Sequence, residues 1–404
     1  MLNQINKLKN LLLTKKAVLI IFFATINALN IQSVIIGRMN VWKIFRFGYF
    51  HLINHQDLYA FYPGQYFDSY LYSPSFGVMF APFSLLPNYL AYFLWNNISM
   101  LIIPFLIFNL KEISTNKKAL ICYIALIEML TCLQGTQTNV MIAALLLIAF
   151  ISFENKSYWI AAFVIAAGFY IKIYPIVAAS LFLLYPGKLK FLLRLAVAFL
   201  VIGALPLIFI QPHELLGQYK NWARELVLDD NDNYGKISLT GLFQVFFNIT
   251  NKGKLIMQIC GALIFLLMYF RKSLFKEYYY RIFFLASMLI WVVLFNHASE
   301  IYGYAIAILG VGLWYVIQPS KKWLNIFICL FIFFATVLSI DPTPRIISRF
   351  IYEHSLKAIP FAIIYCIILY QMLFKEKSFF QTNHIFNHNL ESNQNKLLAD
   401  KKSR

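Results

Sequence analysis

The sequence predicts an all-α integral membrane protein of about twelve transmembrane helices, with interfacial helices in its outer loops. Three observations carry that class. Of 404 residues, 60% are hydrophobic and 13% charged, where soluble domains carry roughly 25% charged residues, and mean hydropathy is +0.66. Apolar runs long enough to enter a bilayer recur along the chain. Lys and Arg concentrate in alternate connections between those runs. The 40 Phe and 25 Tyr suit lipid-facing surfaces and interfacial belts, and no stretch is left for a separate soluble domain.

Residues 1–16 carry four lysines and no acid. The apolar run 17–37 that follows is long and lacks a small-residue cleavage site, so an uncleaved first span is expected rather than a leader. Segment 40–54, NVWKIFRFGYFHLIN, spaces apolar residues as a helix does, with Lys43 and Arg46 between them, and reads as a helix lying in the interface. Residues 55–77, HQDLYAFYPGQYFDSYLYSPSFG, break the pattern. Pro63, Gly64 and Pro74 prevent a continuous helix, and the tyrosines favour the headgroup level. Spans follow at 78–110, with a bend at Pro82 or Pro87, then at 119–134, 138–153, 158–172, 173–186, 192–210, 255–270, 281–295, 302–318, 323–340 and 358–374. The long connection 211–254 is expected to hold an interfacial or re-entrant helix at 237–249. Residues 375–404 form a polar tail expected to be disordered, which leaves 1–374 as one polytopic domain. There is no internal repeat of 20–50 residues. Cys122, Cys132, Cys260, Cys329 and Cys366 all fall in apolar runs and show neither disulfide nor metal spacing.

With a cytoplasmic N-terminus and alternating spans, segments 1–16, 111–118, 154–157, 187–194, 271–281, 319–322 and 375–404 are cytoplasmic. They hold 23 of the 35 Lys and Arg and six of the 17 acids, so +17 of the net +18 lies on that side. Such a balance requires no nucleic-acid partner, for which bases clustered on one face would be expected. Every unusual polar motif then falls on the outer side: 38–77, LQGTQTN (133–139), FYIKIYP (169–175), 211–254, FNHASE (295–300) and DPTPRIISRFIYEHSLK (341–357). Their convergence predicts a single site at that surface.

Within these motifs, Asp57 and Asp68 flank the proline-broken stretch. A carboxylate held at the membrane surface can act as general base toward an acceptor hydroxyl. The plain alternative is a solvated loop acid. Asp68 is the stronger candidate, because the aromatics of YLYSPSFG, Tyr72 among them, and Pro74 would pin its segment. Lys172, just before Tyr174-Pro175, either snorkels to the interface or meets a lipid phosphate as a point charge. Arg345 is a second cation on the same side. Gln134, Gln137 and Asn139 sit in a tight turn, where amides either satisfy neighbouring helices or bind sugar or phosphate. His297 and Glu300 share a face if the preceding helix continues. That pair suits a structural hydrogen bond as well as a metal, but one pair makes no metal site. Glu128 is ionisable inside a span, either functional or a hydrogen-bonded acid between helices. DDNDNYG (229–235) fails as a calcium loop, since its glycine comes one position late and position twelve is Thr240. No Walker A loop, G-x-S-x-G elbow or H-E-x-x-H helix is present. No metal and no cofactor is expected.

Taken in order, DLYAFYP, DSYLYSPSFGVMFAPFSLLPNYLAYFLWN, QGTQTNVMIAALLLIAF, GFYIKIYPIVAASLFLLYP, SLTGLF and FNHASE resemble glycosyltransferase family 87 over residues 38–357, and in detail its bacteroidete branch. The resemblance implies a GT-C fold in a bacterial inner membrane. It implies inverting transfer of one hexose, mannose, from a polyprenyl-phosphate donor to a hydroxyl of a lipid or glycan acceptor on the outer face, without a nucleotide sugar. It also implies an aspartate of the first outer loop as base. Counting back the family's spacing from Tyr59 reaches Asn40 or Val41, and no acid lies between 38 and 56. Asn40 cannot act as a base, so either Asp68 or Asp57 has taken the role or this branch works differently. The rival class is a lipid-linked glycan flippase or other transporter. Transporters show repeated halves and midplane ionisable groups. Here only Glu128 lies clearly within a span, and the polar matter gathers at one surface, which favours an enzyme whose partners are donor, acceptor and membrane lipids.

Overall fold

The computed structural model describes residues 2–231, 236–319, 321–339 and 343–381. Among these residues every regular element is helical and there is no strand. The chain opens with α1 (Leu2–Leu12), α2 (Lys15–Ile35), α3 (Asn40–Ile53), α4 (Pro74–Met79), α5 (Ala81–Ser84) and α6 (Asn88–Phe108). Next come α7 (Thr115–Gln134), α8 (Asn139–Glu154), α9 (Tyr158–Ile171), a 3₁₀ segment over Tyr174–Leu184, α10 (Lys188–Ala204), α11 (Pro212–Asn231) and α12 (Leu239–Phe247). The chain continues with α13 (Asn251–Leu266), α14 (Tyr278–Leu294), α15 (Tyr304–Ile317), α16 (Lys322–Ala335), α17 (Arg345–Glu353), α18 (Ala358–Phe374) and α19 (Lys377–Gln381).

Four helices are long and apolar enough to cross a membrane: Lys15–Ile35, Asn88–Phe108, Lys188–Ile208 and Asn251–Phe270. A fifth results if α17 and α18, bent by 55° at their junction, count as one broken span. The other expected spans are helical too, but most are shorter. A 14-residue helix such as α15 reaches about 21 Å, less than the roughly 30 Å of a hydrocarbon core. Nearly every residue of α14 and α15 is buried, so these two short helices meet protein rather than lipid along their length.

Segment 40–54 is the expected helix, with Trp42, Phe45, Gly48, Tyr49 and Leu52 turned inward. The 55–77 stretch is irregular until Ser73, which caps α4 by accepting from Phe76 N while Pro74 opens its first turn. Aromatic packing fixes this stretch against α3. Phe45 meets Tyr72 and Phe76 edge-on at 5.0 and 5.4 Å, and a Cβ on Gly48 would lie 2.3 Å from the Tyr70 ring. The 211–254 connection holds more helix than expected. Pro212 and Glu214 open the 20-residue α11, where proline and an acid suit a helix start. The stretch 232–235, within the rejected calcium motif, lies outside the described residues, as do Asp341, Pro342 and the tail from 382 onward. The first residues of the expected tail are helical, and Phe380 is buried against Tyr280 and Phe283.

Side-chain contacts divide the bundle into two ends. At one end Arg281 meets Glu154 at 2.5 Å, Tyr279 donates to Glu112 O, Lys111 to Asn155, Arg271 to Met372 O, and Lys377 pairs with Glu277. All these residues belong to, or border, the connections read as cytoplasmic. At the other end Gln218 bonds Gln56 O, Asn221 bonds Asp57, Trp222 bonds Leu71 O, and Ile237 N bonds Ser299 O. Those are the segments read as outer. These contacts join segments that the Lys and Arg pattern places on the same side.

Candidate functional site

The turn between α7 and α8 builds the first wall. Gln137 N bonds Cys132 O and Thr136 N bonds Leu133 O, the paired bonds of a left-handed helix stop. Thr136 occupies the left-handed position, φ +51, which β-branched residues adopt only under strain. Gly135 lies against Tyr302, where a Cβ would come within 2.7 Å of the ring. The turn delivers Thr138 and Asn139, both buried, to the start of α8. Asn139 Oδ1 accepts from Lys172 Nζ at 3.1 Å and from Tyr174 OH at 2.9 Å. Lys172 can reach it because α9 stops at Ile171 and Lys172 is extended, φ −146, before the 3₁₀ segment begins at Tyr174-Pro175.

Tyr72 enters this cluster from the 55–77 stretch. Burial is the main cause that pushes its phenol up, and the charges of Glu300 and Asp68 add to it, while the neighbouring Thr138 hydroxyl opposes. Thr138 Oγ1 itself closes no hydrogen bond. Asp68 and Glu300, from different loops, thus lie within charge range of one buried tyrosine, beside an Asn–Lys–Tyr network. Asp68 is exposed and sits at φ +81, with Oδ1 accepting from Ser69 N at 2.8 Å. The residue before it is clamped: Asn40 Nδ2 donates to Phe67 O at 2.6 Å and Asn40 Oδ1 accepts from Phe67 N at 2.7 Å. Asn40 is thus bound beside Asp68. Asp57 stands elsewhere, with Oδ1 accepting from Tyr59 N and Oδ2 from Asn221 on α11.

His297 and Glu300 do not share a helical face. The helix ends at Leu294, and the Asn296 side chain accepts from Ala298 N, a turn that competes with further helix. Glu300 is half-buried and has no ion pair among the described residues. His297 Nδ1 bonds Gln258 and lines a polar cavity of about 180 Å³ with Lys236, Lys254, Gln244 and Glu353. Lys236 is paired with Asp229 at 2.8 Å.

A second cavity, about 350 Å³, shares Tyr352 with the first and has three cationic residues in its wall, two of them paired with acids. Arg345, Arg349 and Lys357 line it with Ser348, Ile237 and Ile301. Arg349 pairs with Glu353 at the exposed surface, and Lys357 with Glu128 in the interior, while Arg345 has no ion pair among the described residues. Ile301 belongs to this cavity and the adjacent Glu300 acts on Tyr72, so one short segment separates the cavity from the Tyr72 cluster. Of the residues singled out in the sequence, Tyr72, Asn139, Lys172 and Glu300 gather in or beside one cluster, and Asp68 lies within charge range of Tyr72. Gln137 contributes its backbone to the turn. Arg345 stands across Ile301, His297 in the polar cavity, and Asp57 against α11. Sequence reasoning missed Thr138, Tyr174, Arg349 and Lys357. Arg349 and Lys357 do lie in the polar run 341–357 that it singled out. Among the described residues no group of three His, Cys, Asp or Glu is arranged to hold a metal.

A comparison with protein-family models matches residues 70–339 to Glycosyltransferase family 87. No curated protein matches the chain.

Proposed function

This chain belongs to glycosyltransferase family 87, and from that premise we propose that it transfers one hexose, mannose, from a polyprenyl-phosphate donor to a lipid or glycan hydroxyl at the outer face of a bacterial inner membrane. The acceptor oxygen bonds to C1 of the sugar as the C1–O bond to phosphate breaks, with inversion. The acceptor proton passes to Asp68, and the lipid phosphate leaves into the second cavity, where Arg345 meets its charge. Lys172, Asn139, Gln137 and Tyr72 hold the sugar and the near edge of the phosphate. Glu300 lends negative charge beside Asp68 as positive charge develops at C1. His297 lines the polar cavity that adjoins the phosphate cavity at Tyr352. In this reading the short helices complete a GT-C-like bundle of about twelve spans with both termini cytoplasmic.

The observation that carries the proposal is the adjacency of Glu300 and Ile301. The charge of Glu300 reaches buried Tyr72, and Ile301 lines the cavity that also holds Arg345, which supports a division between sugar and phosphate. The pairing of Glu128 with Lys357 also favours an enzyme over a transporter, because it occupies the ionisable group that a midplane transport site would use. The test compares Asp68→Asn with Asp57→Asn. A general base contributes roughly 10²–10⁴-fold, so Asp68→Asn loses turnover on that scale with donor binding retained, and Asp57→Asn keeps most of it. The reverse pattern moves the base to Asp57.

A further inference from the structure

Lys15 opens α2, and the helix runs for 21 residues. That is about 31 Å, so its first turn stands at one boundary of a hydrocarbon core roughly 30 Å thick. Val18, Phe22 and Ile26 form its packed stripe and are fully buried. A neighbouring stripe, Leu19, Ile20, Phe23 and Ala24, lines an open groove of about 620 Å³ against Leu101 and Phe105 of α6. From Lys15 to Ala24 the groove extends about 14 Å, close to the depth of one leaflet. Its walls are apolar except at the boundary end, where Lys15 and Lys16 are both exposed. Lys15 Nζ stands 5.2 Å from the centre of the Phe105 ring and 6.0 Å from that of Phe108. Neither lysine has a carboxylate partner among the described residues, and the start of α2 adds its own partial positive charge.

We infer that this groove is a binding site for an anionic phospholipid of the leaflet that carries the N-terminal segment. One acyl chain lies between α2 and α6, and the headgroup phosphate meets Lys15 and Lys16. Depth and lining select a lipid chain, because the groove starts at the headgroup level and ends where a chain of that leaflet ends. Charge selects among lipids. A zwitterionic headgroup brings its own ammonium, which two lysines and a helix start repel, whereas a net negative headgroup is attracted by all three. Both ammoniums are open to the headgroup layer, so the lipid has no ion pair to displace. A bound lipid bridges the first long apolar helix and α6, and so stabilises the folded chain.

The test uses the full chain in detergent, with dioleoyl phosphatidylglycerol and dioleoyl phosphatidylcholine as probes. Bound lipid is counted by native mass spectrometry, and the thermal midpoint is measured with and without each lipid. The native chain should retain phosphatidylglycerol about 10-fold or more over phosphatidylcholine, the preference that two lysines at a membrane surface supply. Lys15→Gln/Lys16→Gln should abolish that preference. Lys7→Gln/Lys9→Gln removes the same charge from exposed positions of α1 outside the groove and should keep it. Ala24→Trp fills the groove from an exposed position and should lower retention of phosphatidylglycerol with both lysines in place. Equal loss in the two lysine pairs would reduce the effect to general attraction by a basic segment and overturn the inference. So would a native chain without preference, or unchanged retention in Ala24→Trp. Should Ala24→Trp not fold, Ala24→Met is read the same way.

Discussion

Asn40→Ala tests how the loop presents Asp68. The Asn40 amide makes two hydrogen bonds to the Phe67 peptide groups, at 2.6 and 2.7 Å, and no other orientation of the amide satisfies both. Each is worth about 0.5–1.5 kcal/mol net, and the site is open to water, so their joint loss costs about 1–2 kcal/mol. That changes the ratio of clamped to open loop by about 5–30-fold. Asp68 holds φ +81, a conformation that Asp tolerates better than most residues but that still costs energy, so the freed loop shifts away from it. Turnover should fall by up to that factor, with apparent donor affinity unchanged because the Arg345 cavity is untouched. Hydrogen exchange across 66–70 should rise. Asn40→Asp keeps the acceptor for Phe67 N and loses the donor, so its loop protection should be intermediate. Full turnover in Asn40→Ala, with Asp68→Asn inactive, would show that the clamp does not position the base.

Two further outcomes are expected. Burial lowers the pKa of His51, with its bond to Gln65 opposing; its Nε2 meets Gln65 Oε1 at 2.7 Å and its ring stacks on Tyr62. A folded-state value below the unfolded value of about 6.5 means that this group's contribution is complete above that pH and is lost as pH falls through the folded value. Thermal stability should therefore decline below about pH 6.5, less so in His51→Phe; equal decline in both would remove His51 from the cause. For topology, a reporter inserted after Asn231 should respond from outside the cell and one after Gln381 from the cytoplasm. The opposite pattern would detach the polar end from the outer face.

The helices were legible because apolar runs of helical length, broken at Pro82, Pro87 and Pro175, leave little else for the backbone in a bilayer. The irregular 55–77 stretch was legible from Pro63, Gly64 and Pro74. The helix α11 was read as connection because its polar face interrupts any apolar run, although Pro212 and Glu214 announce a helix start. The end of α14 could have been read from Asn296, whose side chain closes a turn two residues on. Pairings across the chain were not legible. Nothing local to Glu128 specifies Lys357, 229 positions away, and nothing local to Asn40 specifies Phe67. The sequence marks Asn40 as a missing acid; only the fold shows its amide gripping the residue beside Asp68.

Transfer from a lipid phosphate with Asp68 as base is open to a single assay. The most direct measurement incubates the purified protein with radiolabelled polyprenyl-phosphate mannose and a membrane lipid extract, with GDP-mannose in parallel. An inverted mannosyl product is expected from the lipid donor alone, lost in Asp68→Asn. Transfer that requires GDP-mannose, or full turnover in Asp68→Asn, would contradict it.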